Sequence, residues 1–324
     1  MHLRGIGYAF AAALMFGLGA VLAKFLGGEI DATIVALLNL AGGGLLLTAW
    51  LALTRTSLLH ILPALKRPDW LNLFLLACPG TALPLLFIVA GLARTSALEG
   101  GFILQAGGVA AVIFAVLLLG ERFRLKQGMG ILLLLCGSLL VVFKGPQSMV
   151  WGKGGLGDLL ILVGAIGLGF GFVPAKRLVP RIDTLPLTAL RLLVGACTLL
   201  PVLAVQLIVG AHALLWRSSF ALVGVLLTYI LTNFCLAYLS QQQGLRYLKA
   251  WEMASILQTV PLFSTVFAVL LLHDSMTLLQ AGGALLALLG GLIVSLRKET
   301  SPAISAAGGS VEKAQEQEYS SLDS

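Results

Sequence analysis

The stretch Phe114-Ala115-Val116-Leu117-Leu118-Leu119 recurs letter for letter as Phe267-Ala268-Val269-Leu270-Leu271-Leu272, 153 residues further along the chain. At the same shift, segment 91–143 aligns with segment 244–296 without a gap. Leucine-rich stretches match by chance, whereas polar and glycine identities at one constant shift indicate an internal duplication. Matches of this kind are Glu99 with Glu252, Gln105 with Gln258, Gln127 with Gln280, and Gly137 with Gly290.

The duplication extends to the earlier part of each copy. Asp31 pairs with Asp183 at a shift of 152, and four glycines pair at a shift of 150, namely Gly5, Gly7, Gly17 and Gly19 with Gly155, Gly157, Gly167 and Gly169. We therefore expect two repeats, residues 1–144 and 145–297, followed by a tail of residues 298–324. The tail is rich in Ser, Ala, Gly, Glu and Gln, and we expect it to be disordered and cytoplasmic.

The composition indicates that the solvent of this protein is a lipid bilayer. Of its 324 residues, 59% are hydrophobic and 11% are charged, whereas soluble domains carry roughly 25% charged residues. Spanning a bilayer takes about 20 apolar residues in a helix, because helices satisfy their own backbone hydrogen bonds. Ten apolar runs are long enough to form such transmembrane helices, at about 5–26, 32–54, 70–92, 97–119, 128–144, 157–175, 185–209, 217–240, 250–272 and 277–296.

These runs predict an all-α, polytopic membrane protein with ten transmembrane helices. Each repeat holds five helices, and because five is odd the second repeat starts from the opposite side of the membrane. The sequence therefore predicts two inverted five-helix repeats, an arrangement typical of secondary transporters. Pro79 and Pro84 are expected to break the third helix, and Pro174 lies near the end of the sixth.

Basic residues predict the orientation. Fifteen Lys and Arg residues fall on one side of the predicted spans, and Arg191 lies within a span. The other side holds five, namely Lys24, Arg94, Lys144, Lys153 and Arg217. The richer side should be cytoplasmic, which places both termini in the cytoplasm, and we expect a cell (inner) membrane. The five tryptophans lie near predicted helix ends, as in an aromatic belt.

Several other classes of site are not favoured. The net charge of +7 is explained by topology, and no basic stripe with interleaved aromatics suggests nucleic acid. Gly152-x-Gly154-x-x-Gly157 matches a dinucleotide fingerprint by letter, but no strand precedes it. The cysteines and histidines show no ligand spacing and no catalytic motif is present. We expect no catalytic residues, no metal, no cofactor and no enzyme activity.

The passage from Phe114 through Gly120-Glu121-Arg122-Phe123, with Gly128, Gly130 and its repeat copy, resembles the drug/metabolite transporter superfamily, EamA type, over residues 5–297. The resemblance implies a ten-helix fold of five plus five inverted helices and transport of small metabolites. The sequence departs where the family often has proline in the fourth helix, since Gly107-Gly108 stands there, although Pro261 is present in the ninth. His273-Asp274 stands in the second repeat at the place of Gly120-Glu121 in the first.

Polar residues within spans are the candidates for substrate binding or gating, because each is costly in lipid. They are Glu99, Gln105, Arg191, Asn233, Glu252, Gln258, Lys24 and Lys176. Structural explanations stay open: the lysines and Arg191 could reach the headgroups, Asn233 could bond another helix, and each Glu could cap its helix for about 0.3–1 kcal/mol. The functional hypothesis places Glu99 and Glu252 at the two mouths of a central cavity.

The leading function is a secondary transporter, a permease or exporter that moves a small metabolite or drug-like solute by alternating access. The partners would be a small-molecule substrate and the bilayer but no nucleic acid, and a homodimer is left open. The alternatives are a membrane enzyme acting on lipid, which would need a polar catalytic cluster at one interface, and a non-transporting receptor or scaffold.

Overall fold

The computed structural model describes residues 2–26, 31–54, 62–92, 94–95, 97–122, 125–142, 155–208, 220–273 and 277–295. These residues form helices and turns, with no strand among them. A short 3-10 turn, Leu62–Ala64, precedes the third helix. The helices are α1 (His2–Leu26), α2 (Ala32–Leu53), α3 (Arg67–Leu92), α4 (Ala97–Leu104 and Ala106–Leu119), α5 (Leu125–Val142), α6 (Leu156–Phe170 and Phe172–Leu178), α7 (Thr184–Ile208), α8 (Phe220–Tyr247), α9 (Ala250–Leu257 and Val260–Leu272) and α10 (Leu278–Ser295).

Seven helices within the described ranges are long and apolar enough to cross a membrane: α1, α2, α3, α6, α7, α8 and α9. Three further apolar helices are shorter, at Ala106–Leu119, Leu125–Val141 and Leu278–Val294. The prediction of an all-α, polytopic membrane protein is thus confirmed. The predicted tail and the linker between the repeats lie outside the described residues.

The eighth helix is longer than predicted. The eighth apolar run was predicted to end at about residue 240, but α8 continues to Tyr247. Gln241 and Gln242 are 7% and 0% exposed, so these two amides pack inside the bundle. Hydropathy alone ends the helix too early because it treats buried and exposed amides alike.

Proline does not break α3. Pro79 and Pro84 were expected to do so, yet the helix runs from Arg67 to Leu92 through a π-helical turn at Cys78–Ala82. The Thr81 hydroxyl donates to the carbonyl oxygen of Leu76 at 2.7 Å, which satisfies an acceptor in the widened turn. In α6, by contrast, Pro174 cannot donate to the carbonyl of Phe170, and the helix is interrupted there.

Helices α5 and α10 pack antiparallel through glycine. A Cβ atom on Gly130 would lie 3.1 Å from the carbonyl oxygen of Gly290, and one on Gly283 would lie 2.8 Å from that of Gly137. Gly283 and Gly290 are the repeat counterparts of Gly130 and Gly137 at the shift of 153. The contact is therefore reciprocal, since each glycine meets the counterpart of the other, as at a twofold axis.

Helices α1 and α6 also have matching environments. A Cβ atom on Gly17 would lie 2.9 Å from the backbone nitrogen of Ser264, and one on Gly169 would lie 2.8 Å from that of Ala111. Ser264 and Ala111 are 153 residues apart, and Gly17 and Gly169 are 152 apart. The pairing of Gly17 with Gly167 at a shift of 150 is therefore wrong by two residues. Glycines that recur every second residue made this register ambiguous in the sequence.

Tryptophans divide between two environments. Trp50 and Trp70 are 58% and 43% exposed, as the prediction of an aromatic belt requires, but Trp251 is 1% exposed and packs in the core. Its place near the start of α9 suggested the membrane surface. The core covers it because helices from both repeats meet there, and the other two tryptophans lie outside the described residues.

Candidate functional site

A central cavity of about 390 Å³ lies between the two repeats. This volume is at the lower end of the range for small-molecule sites. Most of its lining is apolar or aromatic, with a few polar groups. It is formed by Phe16, Ala20, Gly101, Leu104, Gln105, Gly107, Gly108, Leu168, Gly169, Phe172, Arg191, Tyr238, Gln241, Ala254, Leu257, Gln258, Val260, Pro261 and Ser264.

Two interrupted helices meet at this cavity. The break in α4 is at Gln105, and the break in α9 is at Gln258 and Thr259, which are equivalent places in the two repeats. Gln258 Nε2 donates to the carbonyl oxygen of Gln105 at 3.1 Å, and the hydroxyl of Ser138 donates to the carbonyl of Gln258. Carbonyls freed by the breaks thus find partners inside the protein.

Gly108 leaves room for this contact. A Cβ atom there would overlap the side-chain amide of Gln258. Gly108 is the counterpart of Pro261, and it stands near the position where the resemblance leads one to expect proline. The departure from the family pattern therefore has a steric reason, because a proline ring at residue 108 would occupy the space of the Gln258 amide.

Arg191 supplies the positive charge of the cavity. Its residue is 4% exposed, Nε donates to Thr81 Oγ1 at 2.7 Å, and Nη1 donates to Gln241 Oε1 at 3.2 Å. The guanidinium carbon lies 4.1 Å from the ring centroid of Tyr238. Within the described part of the chain, no carboxylate pairs with Arg191. The side chain therefore lies in the protein interior.

Apart from Thr81, the residues of this polar cluster belong to the second repeat, and they have no polar copy at a matching cavity position in the first. The counterpart of Arg191 at a shift of 152 is Asn39, which is 1% exposed and does not line the cavity. At a shift of 153, the counterparts of Tyr238 and Gln241 are Leu85 and Ile88. The cavity is thus built by both repeats, but its charge comes from the second repeat.

One end of the bundle is held by polar contacts, and we call it the polar end, defined by Glu121, Lys176, Asp183 and Arg246. Glu121 accepts hydrogen bonds from the backbone nitrogens of Ala250 at 3.0 Å and Trp251 at 3.2 Å. A carboxylate of the first repeat thereby caps the N-terminus of α9 in the second. Lys249 Nζ donates to the carbonyl oxygen of Arg122 at 3.1 Å in the same place.

Lys176 fastens α6 to the end of α8. Its Nζ donates to the carbonyl oxygens of Leu245 and Leu248, each at 2.6 Å. Nearby, Arg246 Nη2 lies 2.9 Å from Asp183 Oδ1. These contacts join helices within the second repeat, whereas those of Glu121 and Lys249 join the two repeats, so together they hold the polar end on that side of the cavity.

The predicted site residues separate into four groups. Gln105, Arg191 and Gln258 line the cavity. Lys176 and Glu252 lie at the polar end, where Glu252 is 2% exposed, accepts from the backbone nitrogen of Lys249 at 2.8 Å and has His2 Nε2 at 3.5 Å. Asn233 packs against Gly19 and is not a lining residue. Glu99 and Lys24 belong to α4 and α1, but their side chains lie outside the described part.

Sequence reasoning did not select Thr81, Tyr238, Gln241 or Glu121. Tyr238 and Gln241 are three residues apart on α8 and therefore share one helix face, which is the signal that the sequence offered. Glu121 was quoted as part of a motif without a role. Among the described residues, no group of three or more His, Cys, Asp or Glu residues is placed to hold a metal ion.

Comparison with known proteins identifies the family of the chain. The profile of the EamA-like transporter family matches residues 3–143 and again residues 155–296. An uncharacterized transporter from Methanothermobacter thermautotrophicus is 24% identical over 231 residues, which are 71% of this chain and 66% of that protein. A chloroplastic WAT1-related protein of Arabidopsis thaliana is 25% identical over 64% of this chain and 51% of its own length. The chain thus spans just under two thirds and about half of these relatives.

A protein of known crystal structure shares the fold. The TM-score is 0.76, with 17% sequence identity, over 90% of this chain and 96% of the other. At this identity the likeness concerns the fold alone.

Proposed function

From the premise that this chain belongs to the EamA-like transporter family, we propose that it is a secondary transporter that moves a small metabolite or drug-like solute by alternating access. It is an integral, multi-pass membrane protein. The observation that carries the proposal is the central cavity, lined by both repeats at the interruptions of α4 and α9. Broken helices that meet at mid-membrane are the usual site of substrate in such transporters.

The polar end supplies one gate. Its contacts join α6 to α8 and the end of α4 to the start of α9, so substrate can leave on that side only after they break. Lys24 is the counterpart of Lys176, and residues 92 and 95 are the counterparts of Leu245 and Leu248. We propose that Lys24 binds the carbonyls of residues 92 and 95 when the opposite end closes.

The proposal includes ten membrane crossings in two inverted halves, residues 1–144 and 145–297. The reciprocal contacts of Gly130 with Gly290 and of Gly137 with Gly283 support it. The basic residues favour a polar end, and both termini, on the cytoplasmic side of a cell membrane. Labelling of single cysteines, one in the tail and one at Gly155, tests this orientation. An externally accessible tail contradicts it.

Uptake into proteoliposomes tests the function. Purified protein should concentrate or exchange at least one solute of a metabolite panel without ATP, while empty liposomes and protein inactivated by heat do not. Absence of movement for every solute, with the protein folded and correctly inserted, would overturn transport in favour of a receptor or scaffold. Turnover of a lipid by the same preparation would favour a membrane enzyme.

A further inference from the structure

We propose that the substrate of this cavity is an organic monoanion, a carboxylate on an apolar or aromatic body, whose charge pairs with Arg191. The proposal rests on the transport function above and specifies its substrate class. It follows from the charge of the cavity, from the free donors that line it and from the character of the remaining lining.

The charge balance requires a negative group. Arg191 is 4% exposed, and its described partners are a hydroxyl, an amide oxygen and an aromatic ring, all of them neutral. A guanidinium has five N–H donors, and two of them are used in these hydrogen bonds. A buried charge without a counter-charge is strongly unfavourable, and inside a membrane such a residue commonly faces a substrate path. A carboxylate in the cavity supplies both the charge and planar acceptors.

A second donor points to the same ligand. Gln105 is 7% exposed, lines the cavity, and its Nε2 has no hydrogen-bond partner in the described structure. Its own carbonyl oxygen is already bonded to Gln258. A buried amide N–H without an acceptor is unfavourable, so an acceptor in the cavity would satisfy it. Gln105 belongs to the first repeat and Arg191 to the second, so one anion would contact both halves.

The remaining lining residues indicate how many charges the substrate carries and what kind of surface the rest of the substrate has. Among the described lining residues Arg191 is the one cation, so a dianion would keep an uncompensated charge in an apolar site. Phe16, Phe172 and Tyr238 offer aromatic surface to the rest of the molecule. A single negative charge on an apolar body therefore fits better than a phosphate ester, a sugar or an amine.

Matched probes test the charge class on the unaltered protein. 4-Phenylbutanoate, 3-cyclohexylpropanoate and octanoate would each be compared with the corresponding amide and amine, and phenylbutylphosphonate, assayed above its second pKa, would represent a dianion. We expect at least one acid to raise the unfolding temperature of the purified protein and to enter proteoliposomes, with its amide and amine about tenfold weaker or inactive. Equal or stronger action of an amide, an amine or the phosphonate overturns the inference, and so does inactivity of all three acids.

Three variants separate the charge from the fold. Arg191→Gln should lose the preference for the acid, Arg191→Lys should keep part of it, and Arg94→Gln, the same change at an exposed site outside the cavity, should keep all of it. An unchanged preference in folded Arg191→Gln overturns the assignment. If neutral solutes are transported and acids are not, the substrate class is wrong but the function stands. If no solute moves at all, the proposed function fails.

Discussion

Gln258 and Gln105, which are counterparts in the two repeats, meet through one hydrogen bond: Nε2 of Gln258 donates to the carbonyl oxygen of Gln105 at 3.1 Å. The relation is not reciprocal, because Gln105 Nε2 has no partner among the described residues. Two equivalent residues thus act differently at the centre of the molecule: the Gln258 amide joins two helices, and the buried Gln105 amide nitrogen has no acceptor in the described structure.

Gly108→Ala should lower the unfolding temperature in detergent and reduce solute uptake, because the new methyl group overlaps the Gln258 amide. Overpacking of this kind costs about 1–3 kcal/mol. Gly7→Ala is the control, since nothing lies within 4 Å of its Cβ position. Equal unfolding temperatures for the two variants would show that the Gln258 side chain moves aside freely.

Gly283→Ala should destabilise the contact of α5 with α10. Its Cβ atom would lie 2.6 Å from Leu140 Cβ and 2.8 Å from the carbonyl oxygen of Gly137, where backbone has little freedom to move. The adjacent Gly282→Ala has open space and should be neutral or stabilising, since alanine favours helix by about 1 kcal/mol. Thermal unfolding of both variants measures the difference, and a more stable Gly283→Ala would contradict the packing.

Glu121→Ala should weaken the capped N-terminus of α9 by about 0.5–2 kcal/mol, because Ala250 and Trp251 lose their acceptor. Glu121→Gln keeps an oxygen acceptor but loses the charge, so its loss should be smaller. Hydrogen exchange at the start of α9 reports the effect directly. Protection that stays unchanged in both variants would remove Glu121 from the contacts that hold the polar end.

Lys176→Gln and Lys24→Gln should shift the access equilibrium in opposite directions. Loss of the bonds from Lys176 to Leu245 and Leu248 favours opening of the polar end, and the matching loss at Lys24 favours the other side. The measurement is the labelling rate of a single cysteine at Gln241, from each side of the membrane. A shift in the same direction for both variants would refute the pairing of the two lysines.

Glu99→Gln and Glu252→Gln test the carboxylates at the starts of α4 and α9. Glu252 accepts from the backbone nitrogen of Lys249, so we expect its substitution to lower stability with little effect on the pH dependence of transport. If both carboxylates bind protons or cations at the cavity mouths, both variants should instead lose transport while folding and inserting normally. Normal kinetics in both leave only the capping role.

The sequence by itself determined the composition, the helices and the duplication. Long apolar runs with few charges form helices in lipid, because a helix satisfies its own backbone hydrogen bonds. Polar and glycine identities at a constant shift of 153 indicate a duplication, because hydropathy alone does not produce them. It also marked Arg191, Gln105 and Gln258, because a polar residue in a span is conspicuous. The sequence analysis missed the helix ends at Leu178 and Tyr247 and the repeat counterpart of Gly17. These features depend on contacts with residues distant in the sequence, and hydropathy carries no information about such contacts.

Only the tertiary structure decided which polar residues share a site. Arg191 meets Thr81, 110 residues away, and Gln241, 50 residues away, through contacts that no local pattern encodes. It also separated Glu252 and Lys176 from the cavity, although both look like site residues in the sequence. The physical reason is that a buried polar group is defined by its partners, and those partners come together only when the two repeats pack against each other.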